Sequence, residues 1–463
     1  MCGDAKMKRF SSSARKVVLG AGERRSVSWR CAVSSVEYAF SPMNRPRRRL
    51  TLFFVAAALF AAPLVGRSAT ESPPDAQGFS AERLERFDRV IQEQVDQRRI
   101  PGVVAYVARN GQPIRFRAYG SQDIEAGKPM STDAIFRIAS MSKAVTSVAI
   151  MMLYEEGQLM LHDPVSKFIP SFSKSVVAVP ATADAPAGTK YVTVPAKRPI
   201  QIRDLLTHTA GLTYGDGLAI EAYKAANLYG WYFADKDETL AVSIDRLATL
   251  PLHAHPGEQY QYGYSTDVLG RVVEVISGMP LDRFFAEKIF APLKMPDTCF
   301  FLPPEKAARL AKVYALEKGK LSVGDQGDYV TGPRKCFSGG AGLLSTTGDY
   351  ARLLQMLLNE GELDGVRLLS PKTVQLMRAN HTGTKMADKT GAFGLGFWVM
   401  QDVGYYGELG TPGAFGWGSA YFPQYLVDPK EKIVAFIMTQ LRPAGDQDLN
   451  ERFKVLMYQA LLK

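Results

Sequence analysis

The stretch Phe136-Arg137-Ile138-Ala139-Ser140-Met141-Ser142-Lys143 runs straight into the apolar segment Ala144-Val145-Thr146-Ser147-Val148-Ala149-Ile150-Met151-Met152-Leu153, and Gly157 ends it. This pattern predicts a buried helix over residues 140–156. In Ser140-Met141-Ser142-Lys143 the first and last side chains lie one helical turn apart and meet on one face. A lysine so placed can take the serine proton when burial or a neighbouring cation lowers its pKa. The helix N-terminus adds a positive potential that favours developing negative charge. The same residues also fit a capping serine followed by a lysine that stretches its stem over the core. Two further Ser-x-x-Lys matches pair Ser13 with Lys16, in a basic leader, and Ser171 with Lys174, in a polar loop after Pro170. The match at Ser140 is the one that opens an apolar helix.

Outward from this segment the chain divides by pattern. Ser80 is an N-cap candidate for a helix with apolar spacing at Leu84, Phe87, Val90, Ile91 and Val95. Two strand-like runs, 103–109 and 113–119, are joined by Asn110-Gly111, a strong hairpin signal. Helices are expected over 265–277, 350–359 and 450–462. Strands are expected over 394–400, 415–427 and 432–440. Residues 171–200, rich in Pro, Ala and Thr, read as a long excursion. Strands at both ends and helices between them predict an α+β fold. One antiparallel sheet is built from residues 79–135 and 335–463, with a mostly helical region, 136–334, inserted. A site belongs in the cleft between the two parts.

The 463 residues are 46% hydrophobic and 22% charged, which excludes collagen-like and wholly disordered classes. The net charge of +10 invites a nucleic-acid reading until it is located. Thirteen basic and three acidic residues fall within 1–68, so the leader holds the whole excess and the remainder is formally neutral. No nucleic-acid partner is expected. From Met43 the leader reads as a basic n-region, an apolar stretch over 50–65 and small residues to Ala69, the parts of a signal peptide. The apolar stretch is short for a bilayer span. Residues 43–69 are expected to be removed on export to the periplasm or beyond, by a Sec route rather than the twin-arginine one that Arg48-Arg49 faintly resembles; an uncleaved anchor is the alternative. Residues 1–42 read as an extension from an early start, and 70–78 as a linker before a domain over 79–463. Cys299 and Cys336 would allow one disulfide. No CxxC or HExxH occurs, and no metal or organic cofactor is expected.

Phe136-Arg137-Ile138-Ala139-Ser140-Met141-Ser142-Lys143 resembles the nucleophile segment of the serine β-lactamase family, which takes in class C β-lactamases, D-alanyl-D-alanine carboxypeptidases and esterases of the same fold. Further similar stretches follow in order: Leu161-His162-Asp163-Pro164-Val165, Leu205-Leu206-Thr207-His208-Thr209-Ala210-Gly211-Leu212, Gly339-Gly340-Ala341-Gly342-Leu343-Leu344-Ser345-Thr346 and Gly416-Trp417-Gly418. The resemblance covers about residues 80–463 and implies the β-lactamase/transpeptidase-like fold. It casts Ser140 as nucleophile and Lys143 as its proton acceptor. The family's tyrosine, in Tyr-x-Asn, has no literal match. In Tyr260-Gln261-Tyr262-Gly263-Tyr264-Ser265-Thr266-Asp267 the esterase-like spacing to the aspartate selects Tyr262 over Tyr264, which is left to touch substrate. The literal Lys389-Thr390-Gly391 stands one strand too early for the family's Lys-Thr-Gly. Trp417-Gly418-Ser419 takes that place, as Trp-Gly-Gly does in the esterases. The backbone N–H groups of Ser140 and Ala420 would then form the oxyanion hole. His208 reads as a structural loop histidine, and Glu258 as a surface residue.

The expectation is an exported serine hydrolase that forms an acyl-enzyme on small esters. A β-lactamase, a carboxypeptidase and an acyl transferase are the neighbouring alternatives. A silent binding protein of the same fold is the alternative from another class. The expected partner is a small ester or β-lactam-like molecule, with no membrane span left after leader removal.

Overall fold

Asn110 and Gly111 turn the chain back on itself. In a computed structural model, which describes residues 71–386 and 391–463 and only the backbone at 405 and 406, both have positive φ, 52° and 75°. They join β1 (Gly102–Arg109) to β2 (Gln112–Asp123), the hairpin the sequence predicts. The expected leader, its signal peptide, the start at Met43 and the pair Lys389-Thr390 lie outside the described residues.

β1 and β2 pair with each other and, through β3 (Lys128–Pro129), reach one edge of an eight-stranded antiparallel sheet. The other strands come from the far end of the chain: β4 (Ala392–Phe393), β5 (Trp398–Val399), β6 (Phe415–Gly418), β7 (Gln424–Asp428) and β8 (Ile433–Met438). The order is β4-β5-β6-β7-β8-β1-β2-β3, so the first long strand lies against the last, with Val104 opposite Met438. This is the fold class the sequence predicts.

Both faces of β1 and β8 are covered, which is why their sequences read as unbroken apolar runs rather than alternating ones. One face packs on α1 (Ala81–Asp96) and the C-terminal helix; Phe87 and Phe453 meet with ring centroids 5.4 Å apart. Ser80 caps α1 by accepting the Arg83 N–H at 3.2 Å. The other face packs on α4 (Thr347–Leu358), and α2 (Ser142–Glu155) and α3 (Ser265–Ser277), which pack against each other, complete the same core. The C-terminal helix is α5 (Leu449–Tyr458). Gly157, at φ 71°, ends α2 as predicted.

Four expectations need correction. Residues 70–78 are not a free linker where described: Glu71 bonds Arg117 and the Phe116 N–H, and the Ser72 N–H reaches Pro113 O, so this segment lies along β2. The excursion at 171–200 holds a β-hairpin, Val176–Pro180 with Tyr191–Pro195. Within 394–400 only Trp398–Val399 pairs as a strand, because Leu395 N–H goes instead to Met377 O and Gly396 sits at φ 109°. Cys299 and Cys336 are free thiols, so the disulfide is not formed.

Candidate active site

Arg137 fixes the start of the site. Its guanidinium is buried and donates to Ala311 O (2.7 Å) and Gln326 O (3.0 Å), while its own N–H is held by Gln440 Oε1 (3.0 Å). The chain then turns sharply. Ala139 stands at φ 34°, a strained value for a residue with a side chain, and Ala139–Met141 form one 3-10 turn before α2. Ser140 is thereby set at the helix entrance, on the wall of a cavity of about 540 Å³.

Lys143 is buried one turn later. Its Nζ lies 3.4 Å from Ser140 Oγ, 3.1 Å from Tyr214 Oη and 2.7 Å from Gly340 O. The Gly340 carbonyl is placed by a close approach of the 338–342 loop to α3. Buried Asp267 accepts the Gly340 N–H at 3.1 Å and the Ser338 hydroxyl at 2.5 Å. A side chain on Gly340 would start 2.5 Å from Asp267 Oδ2, which gives the Gly-Gly-Ala-Gly stretch its physical reason. Burial raises the Asp267 carboxyl, and Lys143 opposes that shift.

The three tyrosines before α3 separate cleanly. Tyr262 lines the cavity. Its ring faces Lys143 Nζ at 4.6 Å from the centroid, and its hydroxyl accepts the Trp417 indole N–H at 3.1 Å. Tyr264 is fully buried and donates to Gly230 O, so the expectation that it touches substrate is not met; the helix start turns it into the core against Phe233. Tyr260 packs with His208 and Phe393. His208 itself is buried at φ 53° with its ring 4.6 Å from that of Tyr262. Burial, then the Lys143 charge, holds it well below the usual histidine range, so it stays neutral beneath the phenol.

Tyr214 is the residue sequence reasoning missed. It sits in an irregular loop three residues past Gly211, edge-on to Tyr262 and Tyr264. Burial, then Tyr262 and Asp267, push its phenol well above the ordinary value, so it stays protonated. The available signal was position alone, directly after the family-like run that ends at Leu212.

Trp417, Gly418, Ser419 and Ala420 line the same cavity as Ser140. The β6–β7 ladder ends at Gly418 opposite Gln424, so Ala420 lies beyond the last pair. Gly391 precedes β4 at the sheet edge, two strands from β6. Ser171 gives its hydroxyl to Asp245 (2.8 Å), and Glu258 is exposed and paired with Lys197. Among the described residues no cluster of three or more His, Cys, Asp or Glu is present, and no helix is long and apolar enough to cross a membrane.

Comparison with known proteins identifies the family and the fold. The family model described as Beta-lactamase matches residues 87–457. An uncharacterized protein of Mycobacterium tuberculosis is 36% identical over 372 residues, 76% of this chain and 89% of the relative. Esterase EstB of Burkholderia gladioli is 30% identical over 385 residues, 78% of this chain and 91% of the esterase. Among solved structures, EstCE1, a hydrolase with promiscuous acyltransferase activity, matches with a TM-score of 0.70 at 27% identity, over 81% of this chain and 98% of its own.

Proposed function

The chain belongs to the β-lactamase family of serine hydrolases, and from that premise we propose that it is an exported esterase working through an acyl-enzyme at Ser140. The observation that carries the ester reading is the pairing of Trp417 with Tyr262 at the place where β-lactam-binding relatives present a lysine. An indole bonded to the catalytic phenol offers no cation for a carboxylate, so a neutral acyl group is favoured there.

In the proposed reaction Ser140 Oγ attacks the ester carbonyl and its proton passes to Lys143 Nζ. In the base form that accepts a proton, a lysine has two N–H donors and one lone pair. Gly340 O and Tyr214 Oη lie where they would take the two hydrogens, which leaves the lone pair facing Ser140 Oγ. Tyr214 is thus a positioning residue. The oxyanion is stabilised by the N–H groups of Ser140 and Ala420. The alcohol leaves with the proton returned from Lys143 while the Tyr262 hydroxyl, on the same cavity wall, bonds the leaving oxygen, and water then attacks the acyl-Ser140 to release the acid. Export rests on the leader composition of residues 43–69.

Intact-protein mass after a fluorophosphonate tests the nucleophile: the wild type gains one adduct and Ser140→Ala none. Turnover of p-nitrophenyl butyrate without turnover of a chromogenic cephalosporin is the expected pair of results. Cephalosporin turnover alone would move the protein to the β-lactamases. An unmodified wild type inactive on both would make it a binding protein.

A further inference from the structure

The cavity at Ser140 continues past Trp417. Its far wall is made by Trp398, Glu408, Phe453 and Lys454. A second cavity of about 560 Å³ shares Glu408, Glu451 and Lys454 with the first. Beyond them it is lined by Val403, Leu409 and Val455, which are 37%, 47% and 50% exposed. We propose that the two cavities form one channel, and that it takes the hydrocarbon chain of a long-chain ester. The carbonyl lies at Ser140 and the distal methylenes lie against Leu409 and Val455. This deepens the ester reading and rests on it.

Three observations choose that occupant. Glu408, Glu451 and Lys454 face both spaces, so the two adjoin along one short wall. Glu451, Lys454 and Val455 follow the i, i+3, i+4 spacing of α5, so the stripe that closes the first cavity also floors the second. Charge excludes an anionic head group at the junction, because Lys454 is already paired with Glu408 and Glu451 adds a further negative charge. The Lys454 stem presents methylenes along the path while its ammonium is held aside. Size points the same way: cavities of this volume enclose drug-sized ligands, far larger than a butyryl group. The three exposed apolar side chains then have a ligand to cover them.

The test compares kcat/KM for p-nitrophenyl butyrate and p-nitrophenyl decanoate, both below their micellar concentrations. Each buried methylene is worth up to about fourfold in binding. The wild type is expected to favour the decanoate by at least about tenfold on that basis. Leu409→Asp and Val455→Asp are each expected to cut the decanoate-to-butyrate ratio by about tenfold, since a carboxylate would lie against the chain. Both positions are exposed, so the fold tolerates the change. Butyrate turnover with no preference for decanoate, or a ratio unchanged in both variants, overturns the channel and leaves the ester reading standing. Failure on both substrates overturns the two together.

Discussion

The Nζ of Lys143 lies 3.1 Å from the phenol oxygen of Tyr214, while the ring of Tyr262, not its hydroxyl, faces the same nitrogen. Two phenols therefore serve one lysine in different ways. Tyr214→Phe removes one of the contacts that orient Nζ. We expect kcat on p-nitrophenyl butyrate to fall by about ten- to a hundredfold with KM within about twofold, because orientation acts on the chemical step. The loss of one hydrogen bond should lower stability by about 1 kcal/mol. Steady-state kinetics with a urea melt checks both; a KM effect with unchanged kcat would place Tyr214 in substrate binding instead.

Trp417 and Tyr262 are expected to be coupled. Tyr262→Phe should abolish most turnover. Trp417→Phe removes the indole N–H that holds the hydroxyl, and should slow turnover several-fold. The double variant should be no slower than Tyr262→Phe alone, because the indole acts through that hydroxyl. Additive losses in the cycle would mean that Trp417 meets substrate independently.

Gly340→Ala tests the loop that carries the lysine's carbonyl partner. The new methyl would meet Asp267, so about 1–3 kcal/mol of stability should be lost and kcat should fall more than the melting change explains. Gly348→Ala is the contrast. It lies in α4 with its nearest neighbour 4.0 Å from the added carbon, and should stabilise by about 0.5–1 kcal/mol with activity intact.

Asp349 links stability to pH. It is buried in the first turn of α4, where it accepts the Asp297 N–H at 2.7 Å and the Thr298 hydroxyl at 3.0 Å. Burial pushes its carboxyl up to about 6. Between the unfolded value near 4 and 6 the folded state binds more proton than the unfolded, so stability falls as pH rises through that window. Asp349→Asn removes this slope. Relative to wild type, the variant should gain up to about 3 kcal/mol between pH 4 and pH 7 in urea unfolding. Parallel stability profiles for the two proteins would refute this role.

What sequence could show depended on regular spacing. Ser140 and Lys143 were legible because helical periodicity puts them on one face, and the hairpin was legible because Asn110-Gly111 needs two positive φ angles. Tyr262 could be ranked above Tyr264 only through the resemblance to the esterase-like members, which implies a tyrosine five residues before Asp267. That Tyr264 is turned wholly inward depends on where α3 begins, which the loop does not announce. Tyr214 lies in irregular backbone, where no period relates one side chain to another. Glu71 looked like linker because its partners, Arg115 and Arg117, lie on a strand more than forty positions away.

The antiparallel pairing of β1 with β8 has a consequence for biosynthesis. The Thr439 hydroxyl donates to Gly102 O across 337 positions of sequence. The central seam of the sheet cannot close until nearly the whole polypeptide has left the ribosome, which takes tens of seconds at about 5–20 residues per second. Until then the early hairpin has no neighbour on its inner edge. A nascent chain in that state is a substrate for chaperones and, if the leader directs it to a translocon, is still threadable when it arrives.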